Sequence, residues 1–296
     1  MPLQKLQFQP GINKETTSYA NEGGWFDCDK VRFRQGFPEK IGGWEKIGNN
    51  SFLGTCRALH PWRTLNLDLF LGLGTSSKYY IESGQGYYDI TPLRVTTAAG
   101  DVTFARVSVG DATLTVADPS HGAVAGDFVT FSGAVSLGAD ITADILNQEY
   151  QIDNIVDSNS YTIKARAVAT VDSITVNGVY TPTLITAASG DSGNGGSSVV
   201  AAYQVSIGLN SAVFGTGWGA GTWGRLTWGS AAAITLTDVL RIWTHDNFGE
   251  DLIINVKDSD IYLWDASEAQ ALSTRATSLA TRAAAAGFTG APTVAT

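Results

Sequence analysis

Apolar and polar residues alternate along much of this chain, with the period of two that is typical of half-buried β-strands. The alternation is clearest in the middle third, in residues 111–118, 126–133, 149–156, 160–168 and 173–180. Asp, Asn, Ser and Gly bound these stretches, and the last one runs into an Asn177-Gly178 turn. Strands at this spacing predict a small β-sandwich or barrel.

The outer thirds of the chain also predict strands. Three are expected in the N-terminal third, in the segments CRALHPW, LDLFLGLG and KYYIES, and three near the C-terminus, in VLRIWTHD, DLIINVKDSD and IYLWDAS. Helix is expected only in residues 266–296, which contain 11 Ala. Leu272 and Leu279 are the only large apolar residues of its stripe, so this segment predicts a solvated helix of four to five turns or a linker.

Charge and tryptophan divide the chain into parts. Residues 1–94 have a net charge of +2, residues 95–200 of −8 and residues 201–296 of −3, and all eight tryptophans lie in the outer two parts. The segments VTTAAGD and AASGDSGNGGSS, rich in small polar residues, predict linkers at both ends of the middle part. The predicted parts are a host domain at 1–94, an inserted acidic β domain at 95–200, the continuation of the host at 201–265, and an Ala-rich helix or linker at 266–296.

Composition excludes several classes of protein. The net charge of −9 disfavours a protein that coats nucleic acid. No apolar run approaches the ~18 residues of a membrane span, and the first residues lack the pattern of a secretory signal. Cys28 and Cys56 do not make a disulfide framework, and reduced, inert thiols are the simplest interpretation.

Few residues stand in patterns that predict catalysis or metal binding. His60, His121 and His245 have no His or Cys at metal-ligand spacing, which favours ordinary structural histidines. We predict no cofactor and no metal. Asp258 and Asp260 form a turn that could touch calcium, although a solvated turn is the simpler interpretation.

Three acidic residues allow an enzymatic alternative. Asp246, Glu250 and Asp251 are close in sequence and could supply the paired carboxylates of a glycan-degrading enzyme. Turn residues at the junction of two strands are the competing interpretation.

The most distinctive stretch is GTGWGAGTWGRLTWGS, residues 215–230. Trp218, Trp223 and Trp228 recur every five residues, and each is followed by Gly. Period five fits neither one helix face nor one strand face, so it predicts an irregular loop. The rings could anchor a subunit interface, pack on their own domain, or form a platform for sugars.

A second cluster, near the N-terminus, mixes basic and aromatic residues. Lys30, Arg32 and Arg34 are followed by Lys40 and Lys46, with Phe33, Phe37 and Trp44 between them. Such a mixture can contact phosphates, but neighbouring acids weaken the local field. Protein–protein salt bridges or a solvated face are the alternatives.

The opening segment, PGINKETTSYANEGGWFDCDKVRFRQGFPEKIGGW at residues 10–44, resembles the start of tail nozzle proteins of short-tailed phages, also called tail tubular protein B. The resemblance rests on Val31-Arg32-Phe33-Arg34 and on Glu39-Lys40-Ile41-Gly42-Gly43-Trp44. The Trp-Gly loop is similar to aromatic-Gly repeats of that family, and residues 240–267 resemble a propeller blade. The insert resembles small β-domains that decorate phage virion proteins.

The resemblance implies an all-β protein with a β-propeller-like host domain and an inserted small β-sandwich or barrel. It implies a virion protein that is not an enzyme. Six copies of the chain would form a nozzle below the tail adaptor, possible contacts would include tail fibre or spike proteins, and double-stranded DNA would pass through the channel. Subunit or adaptor contacts are then expected at Arg32, Arg34, Trp44, Trp218, Trp223 and Trp228.

The chain is shorter than members of that family, which run through several more blades. We therefore expect it to be the N-terminal part of a longer protein. The alternative function is a carbohydrate- or receptor-binding tail module, which would rest on the Trp-Gly loop and the β-rich insert.

Overall fold

Strands dominate the computed structural model, which describes residues 9–15, 17, 19–21, 23–43, 50–168, 183–208, 242–256, 259–267 and 271–288. Its strands form one two-stranded and four four-stranded antiparallel sheets. The described helices are short. The prediction of an all-β fold is therefore confirmed. The chain divides into two compact units, Met1–Asn49 and Asn50–Thr296.

The first unit contains a hairpin of strands β1 (Val31–Arg34) and β2 (Phe37–Lys40). Gln35 and Gly36 connect them, with φ values of 51° and 85°. Positive φ at both central residues is what a two-residue type I′ turn requires. Sequence analysis predicted a basic aromatic cluster here but no hairpin, because the apolar residues are few and β2 contains a proline.

The second unit begins with a four-stranded meander. Its strands are β3 (Cys56–Arg63), β4 (Leu69–Thr75), β5 (Tyr79–Ser83) and β6 (Gly86–Asp89), and each pairs with the next in the chain. This is the strand order of a propeller blade. The predicted segments CRALHPW, LDLFLGLG and KYYIES form β3, β4 and β5 respectively.

A second meander of the same order lies near the C-terminus. It consists of β15 (Trp243–Phe248), β16 (Asp251–Val256), β17 (Ile261–Trp264) and the short β18 (Thr277–Ser278). The two meanders, which we call the first and second blades, share one apolar core, to which Tyr79, Ile81, Leu252, Ile254 and Trp264 contribute.

Between the blades the chain forms a β-sandwich. One sheet has the order β11-β10-β14-β7 and the other β12-β13-β9-β8. The strand bounds are β7 (Leu93–Thr96), β8 (Thr103–Arg106), β9 (Thr113–Ala117), β10 (Phe128–Ser132), β11 (Glu149–Gln151), β12 (Asn154–Asp157), β13 (Ser160–Lys164) and β14 (Val200–Gln204). A one-turn helix, α1 (Ala143–Leu146), precedes β11.

The sandwich has its own apolar core, separate from that of the blades. Phe104 packs edge-on against Phe131 across the two sheets, with ring centroids 4.9 Å apart. The first and last strands of the sandwich, β7 and β14, pair with each other, Thr96 opposite Ala202. The sandwich thus runs a few residues beyond the predicted domain limits of 95 and 200.

The Gly/Ser-rich segment at residues 187–198 is not a flexible linker. Asp191 is fully buried there, and its carboxylate accepts hydrogen bonds from the backbone N–H groups of Ala139, Ile141 and Ala188 at 2.7–3.1 Å. Arg106 donates to the carbonyls of residues 188, 189 and 191. Burial raises the pKa of Asp191, but these three N–H donors and a fourth, that of Asp140, outweigh it, so that pKa lies below its ordinary value.

In the part that the structure describes, the Ala-rich segment is not one helix of four to five turns. Its described residues contain a 3-10 turn at Ala271–Ser273 and helix α2 (Leu279–Ala285), which Ser278 caps through Thr281. Thr277 and Ser278 pair with β17, and Ala276 donates a backbone hydrogen bond to Ile90. These contacts hold the chain extended where helix propensity alone predicts a longer helix.

Candidate functional site

The structure places Arg32 and Arg34 on the same, solvent-exposed face of β1. Arg32 lies opposite Glu39, and its Nε is 3.2 Å from the Glu39 carboxylate. Arg34 lies opposite Phe37, whose side chain is 73% exposed. An ion pair this exposed contributes little to stability. The two arginines are therefore available for contacts outside the hairpin.

The other predicted interface residues lie outside the described residues. These are Trp44 and the three tryptophans of the Trp-Gly loop, Trp218, Trp223 and Trp228. Their role in a subunit interface stays a prediction.

Three other tryptophans, Trp62, Trp243 and Trp264, hold the blades together. Each indole N–H donates to a backbone carbonyl: Trp62 to Glu250 at 3.1 Å, Trp243 to Thr75 at 3.1 Å, and Trp264 across a turn at 2.8 Å. The first two bonds connect one blade to the other. Trp243 and Trp264 are buried and Trp62 is partly buried against the same core, and with their N–H groups satisfied they serve as packing residues.

The acidic residues considered for glycan hydrolysis lie in and beside the turn that connects β15 to β16. The Glu250 carboxylate accepts from the Leu65 backbone N–H, and Asp251 accepts from the Ala266 N–H at 3.0 Å. Asp246 lies within β15, where its side chain accepts from the backbone N–H of the next residue, Asn247. Glu250 and Asp251 thus stand at the junction of two strands, as the turn interpretation expects, whereas Asp246 is a strand residue.

Two of the histidines considered in the sequence analysis lie in contact between the blades. The rings of His60 and His245 lie 4.8 Å apart, and His245 Nδ1 is 2.9 Å from the hydroxyl of Tyr79. His60 Nε2 is 2.5 Å from the side-chain oxygen of Asn247. Burial, followed by the neighbouring His60, lowers the pKa of His245. The pair is packed and hydrogen-bonded, as expected of structural histidines.

The densest cluster of charge was not predicted from the sequence. Lys78, Asp89, Glu149 and Arg275 meet where the first blade, the sandwich and the C-terminal segment come together, and we call them the four-charge network. Lys78 Nζ lies 2.7 Å from Asp89 and also pairs with Glu149, while Arg275 Nη2 lies 3.3 Å from Asp89 and 3.4 Å from Glu149.

Two cations balance two anions in this network. The Lys78 side chain is only 6% exposed, and its ammonium also lies 4.9 Å from the centre of the Phe128 ring. Burial opposes ionisation of Asp89, but Lys78 and then Arg275 outweigh it, and the pKa of Asp89 falls below its ordinary value. Gln204 adds a hydrogen bond to Glu149 at 2.5 Å. A balanced and satisfied network of this kind fixes parts of a fold in place.

Within the part of the chain that the structure describes, no group of three or more His, Cys, Asp or Glu side chains could hold a metal ion. Cys28 and Cys56 are free thiols. None of the described helices has the length and apolar character needed to cross a bilayer.

Comparison with known proteins finds little that resembles this chain. No protein-family model matches it, and no curated protein matches it. Among solved structures, it is similar to phage phi92 endosialidase, with a TM-score of 0.21 and 14% identity, over 57% of this chain and 21% of the endosialidase chain. A similarity of that size carries no conclusion about fold or activity.

Proposed function

We propose that this chain is a structural protein of a phage tail, and that within the tail it forms part of the nozzle through which genomic DNA leaves. The observation that carries the proposal is the opening segment, residues 10–44. Val31–Arg34 and the Glu39–Trp44 motif stand there in the same order as in the nozzle proteins they resemble.

The hairpin geometry supports a role in assembly. An isolated two-stranded hairpin is marginal in water, and it gains stability when another surface covers it. All four residues of β2 are exposed, and Arg32 and Arg34 extend from β1 into solvent. Guanidinium groups in such a position form charge-assisted, bidentate bonds with carboxylates of a neighbouring copy or of the tail adaptor.

The proposed partners follow from this role. They are further copies of the chain in a homohexamer, the tail adaptor above them, tail fibre or spike proteins, and the DNA in transit. An overall charge of −9 suits a channel that must release DNA, because every neutralised phosphate adds affinity. The proposed location is therefore the virion.

Electron cryomicroscopy of the particle that contains this chain tests the proposal, with rotational symmetry left free. The expected result is six copies on the tail axis below an adaptor ring. Three copies at the periphery of the tail, in the manner of a spike, would contradict it.

Reversing the charge of the hairpin tests which surface is used. We expect the double variant Arg32→Glu and Arg34→Glu to fold normally, since both side chains are exposed, but to be missing from assembled tails. Particle incorporation is measured by quantitative mass spectrometry of purified virions. The control is Lys30→Glu, whose side chain is 85% exposed and precedes β1. Normal incorporation of the double variant would exclude the arginine face as an interface.

A further inference from the structure

A cleft of about 510 Å³ opens between the sandwich and the second blade. Leu93 and Arg94 of β7 form one wall, and the other is built from residues of the second blade and α2, Ser259, Asp260, Tyr262, Thr277, Ser278 and Thr281. Arg275 and Ala276 complete the lining. Small-molecule sites in proteins have volumes of about 300–1,000 Å³, so this cleft is large enough to hold a ligand.

The lining offers donors and acceptors together. Arg94 is a pure donor and Asp260, when ionised, a pure acceptor, while the Ser and Thr hydroxyls do both. Among the described residues, neither Arg94 nor Asp260 takes part in an ion pair. Arg94 donates one hydrogen bond to a backbone carbonyl and keeps further N–H donors, so both it and Asp260 can bond to a ligand.

Two arginines are held in position before any ligand arrives. Arg94 stacks on the Tyr203 ring, 5.0 Å from its centre, and donates to the carbonyl of His121 at 2.9 Å. Arg275 donates to the Thr91 carbonyl at 2.9 Å, and its charge is balanced within the four-charge network. Such pre-organised side chains lose little entropy when they bind.

The chemistry of the cleft selects one class of ligand. Among the described lining residues, a free anion would find one cation outside an ion pair, Arg94, opposed by the carboxylate of Asp260. A saccharide ring presents hydroxyls that each donate and accept, which matches the mixed lining, and its C–H face can lie against the half-buried Leu93. We infer that this cleft binds a saccharide of one or two rings. The inference does not depend on the proposed role in the nozzle.

Ligand-observed saturation-transfer NMR on the full chain tests the inference. The probes are glucose, N-acetylglucosamine, galacturonic acid and inorganic phosphate, the last as an anion without the ring. The expected result is saturation transfer to at least one saccharide, and this signal should persist when phosphate is added. Absence of saccharide binding, or binding of phosphate alone, would overturn the inference.

A matched pair of variants locates the binding. Asp260→Asn is expected to weaken saccharide affinity about tenfold, because a hydrogen bond to a charged acceptor is replaced by a weaker one. Asp246→Asn removes the same charge from an exposed position of β15 outside the cleft and should leave affinity unchanged. Equal affinities of the two variants would overturn the assignment. Should Asp260→Asn fail to fold, Thr277→Val, which removes one lining hydroxyl at constant shape, serves in its place with the same expectation of weakened binding.

Discussion

Replacing Lys78 with Met tests whether the four-charge network stabilises the second unit. Lys78 is the most buried of the four groups, and it pairs with Asp89 and Glu149 at once. The variant keeps most of the side-chain volume but leaves both carboxylates with Arg275 as their only cation in the network. It also removes the contact with the Phe128 ring.

The expected loss is a substantial fraction of the stability of a domain. Removing one partner of a buried ion pair costs about 3–5 kcal/mol. Asp89 and Glu149 remain 22% and 23% exposed, so water offsets part of the cost, and we expect about 3 kcal/mol. For a unit of this size that corresponds to a fall of about 6–12 °C in the unfolding midpoint.

The variant should also lose stability at a higher pH than the wild type. In the wild type the pKa of Asp89 lies below its ordinary value of 3.8. Its contribution is therefore present above pH 3.8 and lost as the pH falls through the lower, folded-state value. Without Lys78, burial opposes the ionisation of Asp89 with Arg275 alone to counter it. The pKa of Asp89 then rises, and acid destabilisation begins at a higher pH.

Urea unfolding followed by tryptophan fluorescence, at pH 7 and in steps down to pH 3, measures both effects. Lys164→Met is the control, because Lys164 and Asp153 are 3.7 Å apart with side chains 43% and 47% exposed. A pair this exposed is worth less than about 1 kcal/mol. Equal losses in the two variants would refute the reasoning, since the network would then be no better than a surface pair.

Two further predictions concern the contact between the blades. The pKa of His245 lies below 6.5, chiefly through burial, so the free energy of unfolding should fall as the pH drops below 6.5. Urea unfolding at pH 7 and pH 5 should show that His245→Gln removes this fall. An unchanged pH dependence in the variant would contradict the prediction. Gly74→Ala should lower the stability measured by thermal unfolding by about 1–3 kcal/mol, because the new Cβ would lie 2.7 Å from Cβ of Trp243. The control is Gly42→Ala, whose Cβ would meet nothing within 4 Å and which should be neutral. Equal unfolding midpoints of the two variants would show that the blades adjust.

The strands that alternate most regularly could be read from the sequence. In β16 every second residue, from Leu252 to Val256, is buried, and the same pattern holds in β9 and β13. A period of two is a local property, so no knowledge of distant residues is needed to see it. β7 was missed because it has only four residues and its exposed positions include the apolar Val95, so apolar and buried positions do not coincide in it.

The four-charge network could not be predicted, because it joins residues that are far apart in sequence. Lys78 stands in a Ser-Ser-Lys turn, Glu149 begins a strand, and Arg275 lies in the Ala-rich segment. Each has the local pattern of an ordinary surface charge. Only the tertiary fold brings them together, and burial then makes their pairing obligatory.

Composition also gave a wrong prediction of a flexible linker, in a loop that a buried carboxylate holds in one conformation. The segment at 187–198 has the Gly and Ser content of a flexible linker, and its backbone freedom is real in an unfolded chain. Asp191 orders this segment in the folded protein, because a buried carboxylate needs several N–H donors and a loop rich in small residues can supply them. The same applies to part of the acidic excess of residues 95–200. Asp118 and Asp127 are buried, so not all of that charge lies on an outer surface.

The position of the sandwich within the chain follows from how its ends meet. β7 and β14 are hydrogen-bonded neighbours, so the chain leaves the first blade and returns toward the second at points only one strand spacing apart. An insertion whose ends are adjacent disturbs the host little, because the host needs to close only that short gap. Adjacent ends alone would still allow the sandwich to pivot. Glu149, at the start of β11, prevents this, because it is bound by Lys78 of the first blade and by Arg275 beside the second. The sandwich is thus attached at two separate places. The cleft proposed to bind a saccharide lies between the sandwich and the second blade, and the double attachment fixes the relative position of its two walls.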